Sequence, residues 1–357
     1  MNFCASRRLF RSEMRFKAMR LSLVMMCLSY VAMISSLFNA SAQQLLPDPL
    51  VHPWKQEVYA GSFGRGMSYP ALANGYLLSY SHKQTKLGQT ASQVTFRMTS
   101  LTTGTVATLS LSLPASDVMI DDAEPGPGGS LVVAGVYAAQ DTSKPTSFIT
   151  SIVAGGSGGY LLTLGTFHPD RVCVSPNGTT WVLGHDPNRE ATRPQTDYDM
   201  MLSFSSAGAQ IGHYLPRSTF SSTEPLTFAK GNSGMTAMLD CNTATAGAYM
   251  AIHGEATWTE VSVGTEKATS VPVFTAGRVR MTGLVFKGPR DVYASMISGG
   301  TPSLYKLTIR QFAQSGEWER VDTEGNFARL LGKDNGSLVY FNSDADHLSP
   351  RLLWSRP

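Results

Sequence analysis

Eight titratable or cationic side chains form the candidate polar site of this sequence: His168, Asp170, His185, Asp186, Arg189, Asp240, Arg278 and Arg280. Among them, two combinations place an imidazole beside a carboxylate at short spacing, His168 with Asp170 and His185 with Asp186. Imidazole changes its charge near neutral pH, and a neighbouring carboxylate orients it. Solvated loop polarity is the alternative interpretation, because charged side chains are mostly exposed. The sequence predicts a polar ligand site with basic and acidic contacts.

Calcium binding is a second chemistry to consider, and it is indicated by Asp344-Ala-Asp346. Alternating carboxylates supply the oxygen ligands that calcium prefers, although this segment lacks the glycine and the closing glutamate of an EF-hand loop. An exposed acidic loop is the alternative interpretation. The sequence therefore requires no cofactor, with calcium at Asp344 and Asp346 as the metal site to test.

The four cysteines divide between the N-terminal segment and the body of the chain. Cys4 and Cys27 lie within the first 42 residues, and Cys173 and Cys241 lie in the body. In an oxidising compartment the second pair can form one disulfide. Two buried free thiols are equally compatible with the sequence, so the pairing stays open.

The N-terminal segment has the three parts of a secretory signal peptide. A basic stretch ends at Arg20, an uncharged apolar run covers 21–38, and Ala40-Ser-Ala42 has the small residues of a cleavage site. A retained membrane anchor is the alternative, since the apolar run is just long enough to span a bilayer. We expect residues 1–42 to be removed on export to the periplasm or the extracellular space. Whether the general or the twin-arginine route is used stays open.

The charge of the body differs from that of the whole chain. The six bases and one acid of the first 42 residues contribute +5, more than the whole-chain excess of 29 Lys+Arg over 26 Asp+Glu, so the body has a formal charge of −2. Nucleic acids and anionic membranes both require clustered cations. We therefore expect no nucleic-acid partner and no membrane insertion after cleavage. A glycan, a peptide or an envelope protein fits better, and the chain is expected to be a monomer.

A repeat of about 50 residues organises the body. Asn-Gly occurs at 74–75, 177–178 and 335–336, each time between an apolar segment and a β-rich run. Asn-Gly between such runs is a strong hairpin signal, because type I′ turns need positive φ at both central residues. Glycine-containing turns near 128, 234 and 288 complete a set of six units.

Four short strands in each of six units are typical of a β-propeller. We predict an all-β, six-bladed β-propeller with four antiparallel strands per blade, an open sandwich or β-helix being the alternative. The last unit has room for three strands, and the mature N-terminal strand is expected to close it. The predicted blades are 66–117, 118–168, 169–220, 221–276, 277–325 and 326–357 plus 51–59, all within a single domain at 43–357.

The segment Ser175-Pro-Asn-Gly-Thr-Thr-Trp181 resembles the Ser-Pro-Asp-Gly-x-x-Trp segment of propellers of the NHL, SMP-30/gluconolactonase and virginiamycin-lyase type. It differs by Asn177 in place of Asp. The resemblance implies the propeller fold for the body. In a lactonase-like propeller, calcium would be held in the central channel by acidic and amide side chains from several blades.

Function is expected at the mouth of the channel where the inter-blade loops meet. We expect an exported module that binds a ligand or a protein, or acts as a scaffold, rather than an enzyme. A calcium-dependent hydrolase or lyase of the lactonase-like type is the alternative.

Overall fold

The computed structural model describes residues 71–80, 93–113, 117–138, 145–154, 159–192, 196–220, 236–252, 255–264, 268–274, 280–288, 291–298, 301–310, 314–321, 329–342 and 351–354. Several sequence predictions lie outside these residues: the leader 1–42, the closing strand 51–59, Arg278, Asp344 and Asp346. Among the described residues, no helix combines the length and the hydropathy needed to cross a membrane.

The described chain is almost entirely β-structure, arranged in five hydrogen-bonded sheets. Three sheets are four-stranded antiparallel meanders. Their strands are β1 Ala71–Ala73, β2 Tyr76–Tyr80, β3 Gln93–Ser100 and β4 Val106–Ser112; β5 Asp117–Pro125, β6 Ser130–Ala138, β7 Thr146–Val153 and β8 Leu161–Thr163; β9 His168–Val174, β10 Thr180–His185, β11 Asp199–Phe204 and β12 Gln210–Pro216. One helix, α1 Pro187–Ala191, follows β10, and short 3₁₀ turns occupy Pro127–Gly129 and Arg217–Thr219.

The remaining strands form an eight-stranded and a three-stranded sheet. The larger sheet contains β13 Thr236–Cys241, β14 Thr245–Ile252, β15 Glu255–Ser262, β16 Thr269–Phe274, β17 Arg280–Gly288, β18 Asp291–Ser298, β19 Thr301–Arg310 and β20 Ser315–Arg320. It consists of two meanders that join where β16 pairs parallel with β20 at Val273 and Phe274. The smaller sheet contains β21 Arg329–Asp334, β22 Ser337–Asn342 and β23 Arg351–Trp354. The all-β, β-propeller-like fold is confirmed, while the parallel junction departs from isolated four-stranded units.

The burial of each strand follows its place in its sheet. The second strand β6 is buried along most of its length, as expected for a strand covered on both faces. The outer strand β4 alternates exposed and buried positions, which is the pattern of a strand with one solvated face. The largest buried side chains include Trp181, Trp258 and Phe286, and they fill the space between neighbouring four-stranded meanders.

The Asn-Gly turns follow two different geometries. Asn74 and Asn335 have positive φ, as does the glycine after each of them, so these two hairpins match the type I′ expectation. Gly178 also has positive φ, but Asn177 does not. Pro176 restricts its own φ to negative values and favours a type I turn, in which Gly178 follows the two central residues. The type I′ expectation was therefore wrong at this hairpin.

The first strands of successive sheets and meanders lie side by side. Contacts run from β1 to β5, β9, β13, β17 and β21 in turn, and β21 returns to β1. These six strands surround a cavity of about 260 Å³, which we call the central cavity. Each of the six strands contributes at least one residue to its lining.

Hydrogen bonds between side chains and backbone groups join neighbouring first strands. Val172 donates its backbone N–H to Asp122 Oδ2 at 3.0 Å, and Phe286 does the same to Asp240 Oδ2. Lys333 Nζ donates to the carbonyl of Phe286. The unpaired edge of a first strand carries backbone N–H and C=O groups that need a hydrogen-bond partner when they are buried. Asp240, predicted as a ligand contact, lies in this structural set.

A disulfide between Cys173 and Cys241 joins β9 to β13, so the structure decides the question that the sequence left open. The two cysteines are 68 residues apart in sequence. Changing both to Ser should lower the free energy of unfolding by about 4 kcal/mol, because a loop of this length is no longer closed in the unfolded chain. Urea unfolding measures the change, with Cys4→Ser plus Cys27→Ser as the matched control. Equal stability of the two double variants would contradict the prediction.

Candidate active site

Two aspartates occupy β-bulges at equivalent positions in the first strands of consecutive sheets. The register of β5 against β6 shifts between Ile120 and Asp122, so Asp121 is the extra residue of a bulge. The same shift in β9 against β10 makes Asp170 the extra residue. A bulge bends its strand and re-aims a side chain. Asp121 was missed by sequence reasoning, and its only signal was its place one repeat before Asp170.

A glycine opposite each bulge allows the close approach of the two backbones. A Cβ atom at Gly135 would lie 2.0 Å from the carbonyl oxygen of Met119. A Cβ atom at Gly184 would lie 2.1 Å from the carbonyl oxygen of His168. Both distances are impossible for real atoms, so these positions require glycine.

Gly184→Ala should therefore separate β10 from β9 at the bulge and displace His168. We expect a destabilisation of about 2 kcal/mol or more, because the added carbon must be relieved by backbone movement. Thermal unfolding measures the loss. Gly264→Ala is the comparison: Gly264 has positive φ but open space around its Cβ position. A smaller effect at Gly184 than at Gly264 would contradict this account of the bulge.

The bulges bring together four residues that we call the His–Asp cluster: Asp121, His168, Asp170 and His185. Asp170 Oδ2 lies 2.7 Å from His185 Nδ1. His168 Nε2 lies 3.4 Å from Asp121 Oδ2 and 3.9 Å from Asp170 Oδ1. The two imidazole rings are 5.1 Å apart between centroids. The structure thus joins His168, Asp170 and His185 of the predicted site and adds Asp121.

Burial controls the protonation of the cluster. The Asp170 side chain is 5% exposed, and burial raises its pKa to about 9, against a lowering by Arg171. Burial also lowers the pKa of His185 to about 4. The pKa of His168 falls to about 4 through burial and the neighbouring His185. Burial disfavours the charged form of either group, so at neutral pH Asp170 carries a proton and both imidazoles are neutral.

Access to the cluster is partial. The side chains of His168 and Asp121 are 21% and 15% exposed, whereas His185 is 12% exposed. Asp121 also lines the central cavity. A ligand that enters this cavity can therefore reach the cluster from the side of Asp121.

Asp186 and Arg189 belong to the helix that follows His185. Asp186 caps α1 by accepting hydrogen bonds from the backbone N–H groups of Asn188 and Arg189, at 3.0 and 3.2 Å. Thr166 donates its hydroxyl to Asp186 at 2.6 Å. Asp at the N-cap followed by Pro187 is a standard start of a helix. Asp186 is thus part of the support of the cluster and lies outside it.

A buried ion pair fixes the other end of α1. Arg217 Nε donates to Glu190 Oε1 at 2.8 Å, and Tyr198 Oη donates to the same oxygen at 2.7 Å. Glu190 and Arg217 are 2% and 3% exposed. Burial raises the pKa of Tyr198, and its hydrogen bond to Glu190 adds to the rise. This network ties α1, and through it the end of β10, to the strand β11.

A larger and more open cleft of about 450 Å³ lies beside α1. Its acids already interact with protein groups. Asp199 Oδ2 lies 2.8 Å from His213 Nδ1, and Asp197 accepts hydrogen bonds from the backbone and hydroxyl of Ser218 at 2.9 and 2.8 Å. The His–Asp cluster is therefore the stronger candidate for chemistry. Arg280, the remaining described residue of the predicted ligand site, is the first residue of β17.

Comparison with known proteins finds solved structures of similar fold but shows no family. No protein-family model and no curated protein matches the chain. Among solved structures, a luciferin-regenerating enzyme is 11% identical with a TM-score of 0.45, over 87% of this chain and 95% of that chain. A puromycin-hydrolysing peptidase from Mycobacterium tuberculosis is 12% identical with a TM-score of 0.43, over 86% of this chain and 54% of that chain. Prolyl oligopeptidase B from Galerina marginata is 10% identical with a TM-score of 0.45, over 84% and 44%.

These similarities concern the fold alone, and the chain spans about half the length of the peptidases. They nevertheless correct the functional expectation. The expectation of a binding or scaffold module is contradicted, because several of the similar solved structures are peptidases. The calcium site predicted at Asp344 and Asp346 lies outside the described residues.

Proposed function

We propose that this chain is a hydrolase that cleaves an amide or ester bond by general acid–base catalysis at the His–Asp cluster. One observation carries the proposal: buried Asp170 contacts Nδ1 of His185 at 2.7 Å, and a second imidazole lies 5.1 Å away. A carboxyl group on Nδ1 orients an imidazole for proton transfer at its other nitrogen. A base and an acid at this separation can act on the two sides of one scissile bond.

The base is His168. Its lowered pKa of about 4 keeps it neutral at physiological pH, so it can accept a proton from water. Asp121, at 3.4 Å from Nε2, stabilises the imidazolium that forms. The proton is then taken up at Nδ1 while the hydroxide adds to the carbonyl carbon of the substrate.

The acid is the His185–Asp170 pair. His185 gives a proton from Nε2 to the departing amine or alcohol, and Asp170 replaces it by passing its own proton to Nδ1. Asp170 has this proton to give at neutral pH because its pKa is about 9. After product release His168 is cationic and Asp170 anionic; solvent carries the proton of His168 to Nε2 of His185, and the Nδ1 proton of His185 returns to Asp170. The net reaction consumes one water and yields a carboxylic acid and an amine or alcohol.

Fluorogenic peptide and ester collections test the proposal. His168→Gln and His185→Gln should each lower kcat at least about 100-fold, which is the usual contribution of a general acid or base. His213→Gln is the matched control, since His213 also contacts an aspartate, at 2.8 Å, but lies outside the cluster. Absence of turnover in the wild-type chain, or equal losses in all three variants, would refute the proposal.

We also infer six blades, the first five with four strands each. The closed order of contacts among β1, β5, β9, β13, β17 and β21 supports this number. The three strands of the last described sheet leave a place beside β23, where residues 51–59 would complete the sixth blade. An experimental structure of the mature chain tests this arrangement.

Export is the remaining proposal. The leader pattern in residues 1–42 and a disulfide that persists in oxidising compartments support it. N-terminal sequencing of chain recovered from the periplasm or medium should begin near Gln43. A mature chain that still carries the leader would overturn cleavage.

A further inference from the structure

The carboxylate of Glu124 lies beside the disulfide. Glu124 is on β5, and one of its carboxylate oxygens and the sulfurs of Cys173 and Cys241 all lie within 4.8 Å of one another. Glu124 Oε1 accepts the backbone N–H of Val174 at 3.1 Å, which fixes the carboxylate at this place. This is the one group of three or more His, Cys, Asp or Glu ligand atoms so close together among the described residues.

A second carboxyl group lies close to these sulfurs. Asp240 Oδ1 lies 3.9 Å from Cys173 Sγ. Lys333 Nζ lies 3.8 Å from Asp240 Oδ2 and partly balances that carboxylate. Glu124 and Asp240 therefore place oxygen atoms of the kind that bind Zn²⁺ beside the two sulfurs.

We propose that reduction of the Cys173–Cys241 disulfide creates a binding site for a thiophilic divalent cation such as Zn²⁺, with two thiolates and the Glu124 carboxylate as ligands. Zinc binds Cys sulfur at about 2.3 Å and carboxylate oxygen at about 2.0–2.2 Å, usually with four ligands. Water or Asp240 can supply the fourth. The three donors come from β5, β9 and β13, so the cation would bridge three neighbouring first strands.

The chemistry balances with a dithiol as reductant. The dithiol is oxidised to its own disulfide, and its two protons and two electrons convert the protein disulfide into two thiols. The cation then displaces both thiol protons, which pass to solvent. The Cys173–Cys241 disulfide forms again only after the cation has left, and a small-molecule disulfide then serves as the oxidant and is reduced to its two thiols.

The central cavity offers the path for the ion. Glu124 lines this cavity, whereas Cys173 and Cys241 are only 1% and 4% exposed. A partner protein cannot bring a thiol to such buried sulfurs, so the dithiol that reduces them has to be a small molecule that enters through the cavity as the ion does. This accessibility favours metal binding over thiol exchange with a protein substrate.

Cobalt(II) binding tests the proposal on the full chain carrying Cys4→Ser and Cys27→Ser. The chain is kept without oxygen under a water-soluble phosphine, which takes its oxygen from water and leaves two protein thiols. We expect one Co²⁺ per reduced chain with a sulfur-to-cobalt charge-transfer band, no such band in the oxidised chain, and displacement by Zn²⁺. Glu124→Gln should weaken the affinity at least tenfold.

Asp122→Asn is the matched control, because Asp122 lines the same cavity and also accepts a backbone N–H, from Val172 at 3.0 Å. It should change the affinity less than threefold. Near-UV circular dichroism checks that each reduced chain is folded. The proposal fails if the reduced chain binds no Co²⁺, if binding occurs only after the dichroism is lost, or if Glu124→Gln binds as tightly as Asp122→Asn. None of these outcomes depends on hydrolytic activity.

Discussion

Arg217→Met should lower the free energy of unfolding by about 3–5 kcal/mol, because it leaves the Glu190 carboxylate buried without its cation. Glu190 and Arg217 are 2% and 3% exposed, and their side chains meet at 2.8 Å. Arg217 Nη1 also donates to the carbonyl of Phe220 at 3.2 Å, a bond that the methionine cannot make. Urea unfolding of the variant measures the loss.

A double variant separates the charge effect from the packing effect. Glu190→Leu with Arg217→Met removes both charges, and replacing a buried ion pair by apolar residues is often neutral or stabilising. The double variant should therefore recover most of the lost stability. Arg310→Met is the surface control: Arg310 pairs with Glu317 at 2.9 Å, but the two side chains are 64% and 56% exposed. An Arg217→Met loss no larger than the Arg310→Met loss would show that the buried pair does not hold α1.

Stability should also fall as the pH rises from 7.5 to 9, and Asp170 is the cause. Its pKa is about 9 in the folded chain, far above that of an aspartate in an unfolded chain. In this interval the folded state keeps a proton that the unfolded state has released. A group with a raised pKa contributes stability that is lost as pH rises through its folded pKa, with a slope of up to about 1.4 kcal/mol per pH unit.

The groups around Asp170 do not reverse this sign. His168 and His185 have pKa values lowered to about 4, so above pH 7.5 they are neutral in both states. The neighbouring Arg171 lowers the pKa of Asp170 and Asp122 raises it, and both effects are smaller than that of burial. Urea unfolding at several pH values between 7.5 and 9 gives the slope.

Asp170→Asn should flatten that slope, because the amide does not titrate. Asp197→Asn is the control: slight burial raises the pKa of Asp197, but hydrogen bonds from Ser218 lower it more, so this group titrates far below the interval. The control should keep the wild-type slope. A slope in Asp170→Asn as steep as in the wild type would show that another group carries the pH dependence.

Local signals in the sequence were sufficient for the fold class. Gly and Pro spacing, the hairpin at Asn74 and the repeat of β-rich runs all depend on backbone geometry within a few residues, and they predicted an all-β, β-propeller-like fold. The different turn at Asn177 is also a local effect, because Pro176 restricts the backbone one residue before the Asn-Gly pair. The parallel pairing of β16 with β20 could not be predicted, since it joins strands from two meanders.

The sequence predicted only part of the candidate site. His168, Asp170 and His185 lie within one sheet, so the short spacing in sequence already placed them near one another. Asp121 comes from the preceding sheet, and a bulge that depends on the cross-strand glycine Gly135 aims it at His168. The sequence does not distinguish the N-cap role of Asp186 from a ligand contact, because both roles use the same residue type.

Residue type and spacing along the chain thus determined strand, turn, repeat and leader, because these features depend on short-range backbone preferences and on the period of apolar residues. Tertiary structure decided the disulfide between Cys173 and Cys241, the carboxylate of Glu124 beside it, and the protonation of Asp170. Each of these depends on how far apart three neighbouring first strands lie and on how much water they exclude. Distances and burial of this kind arise only when segments far apart in sequence pack together.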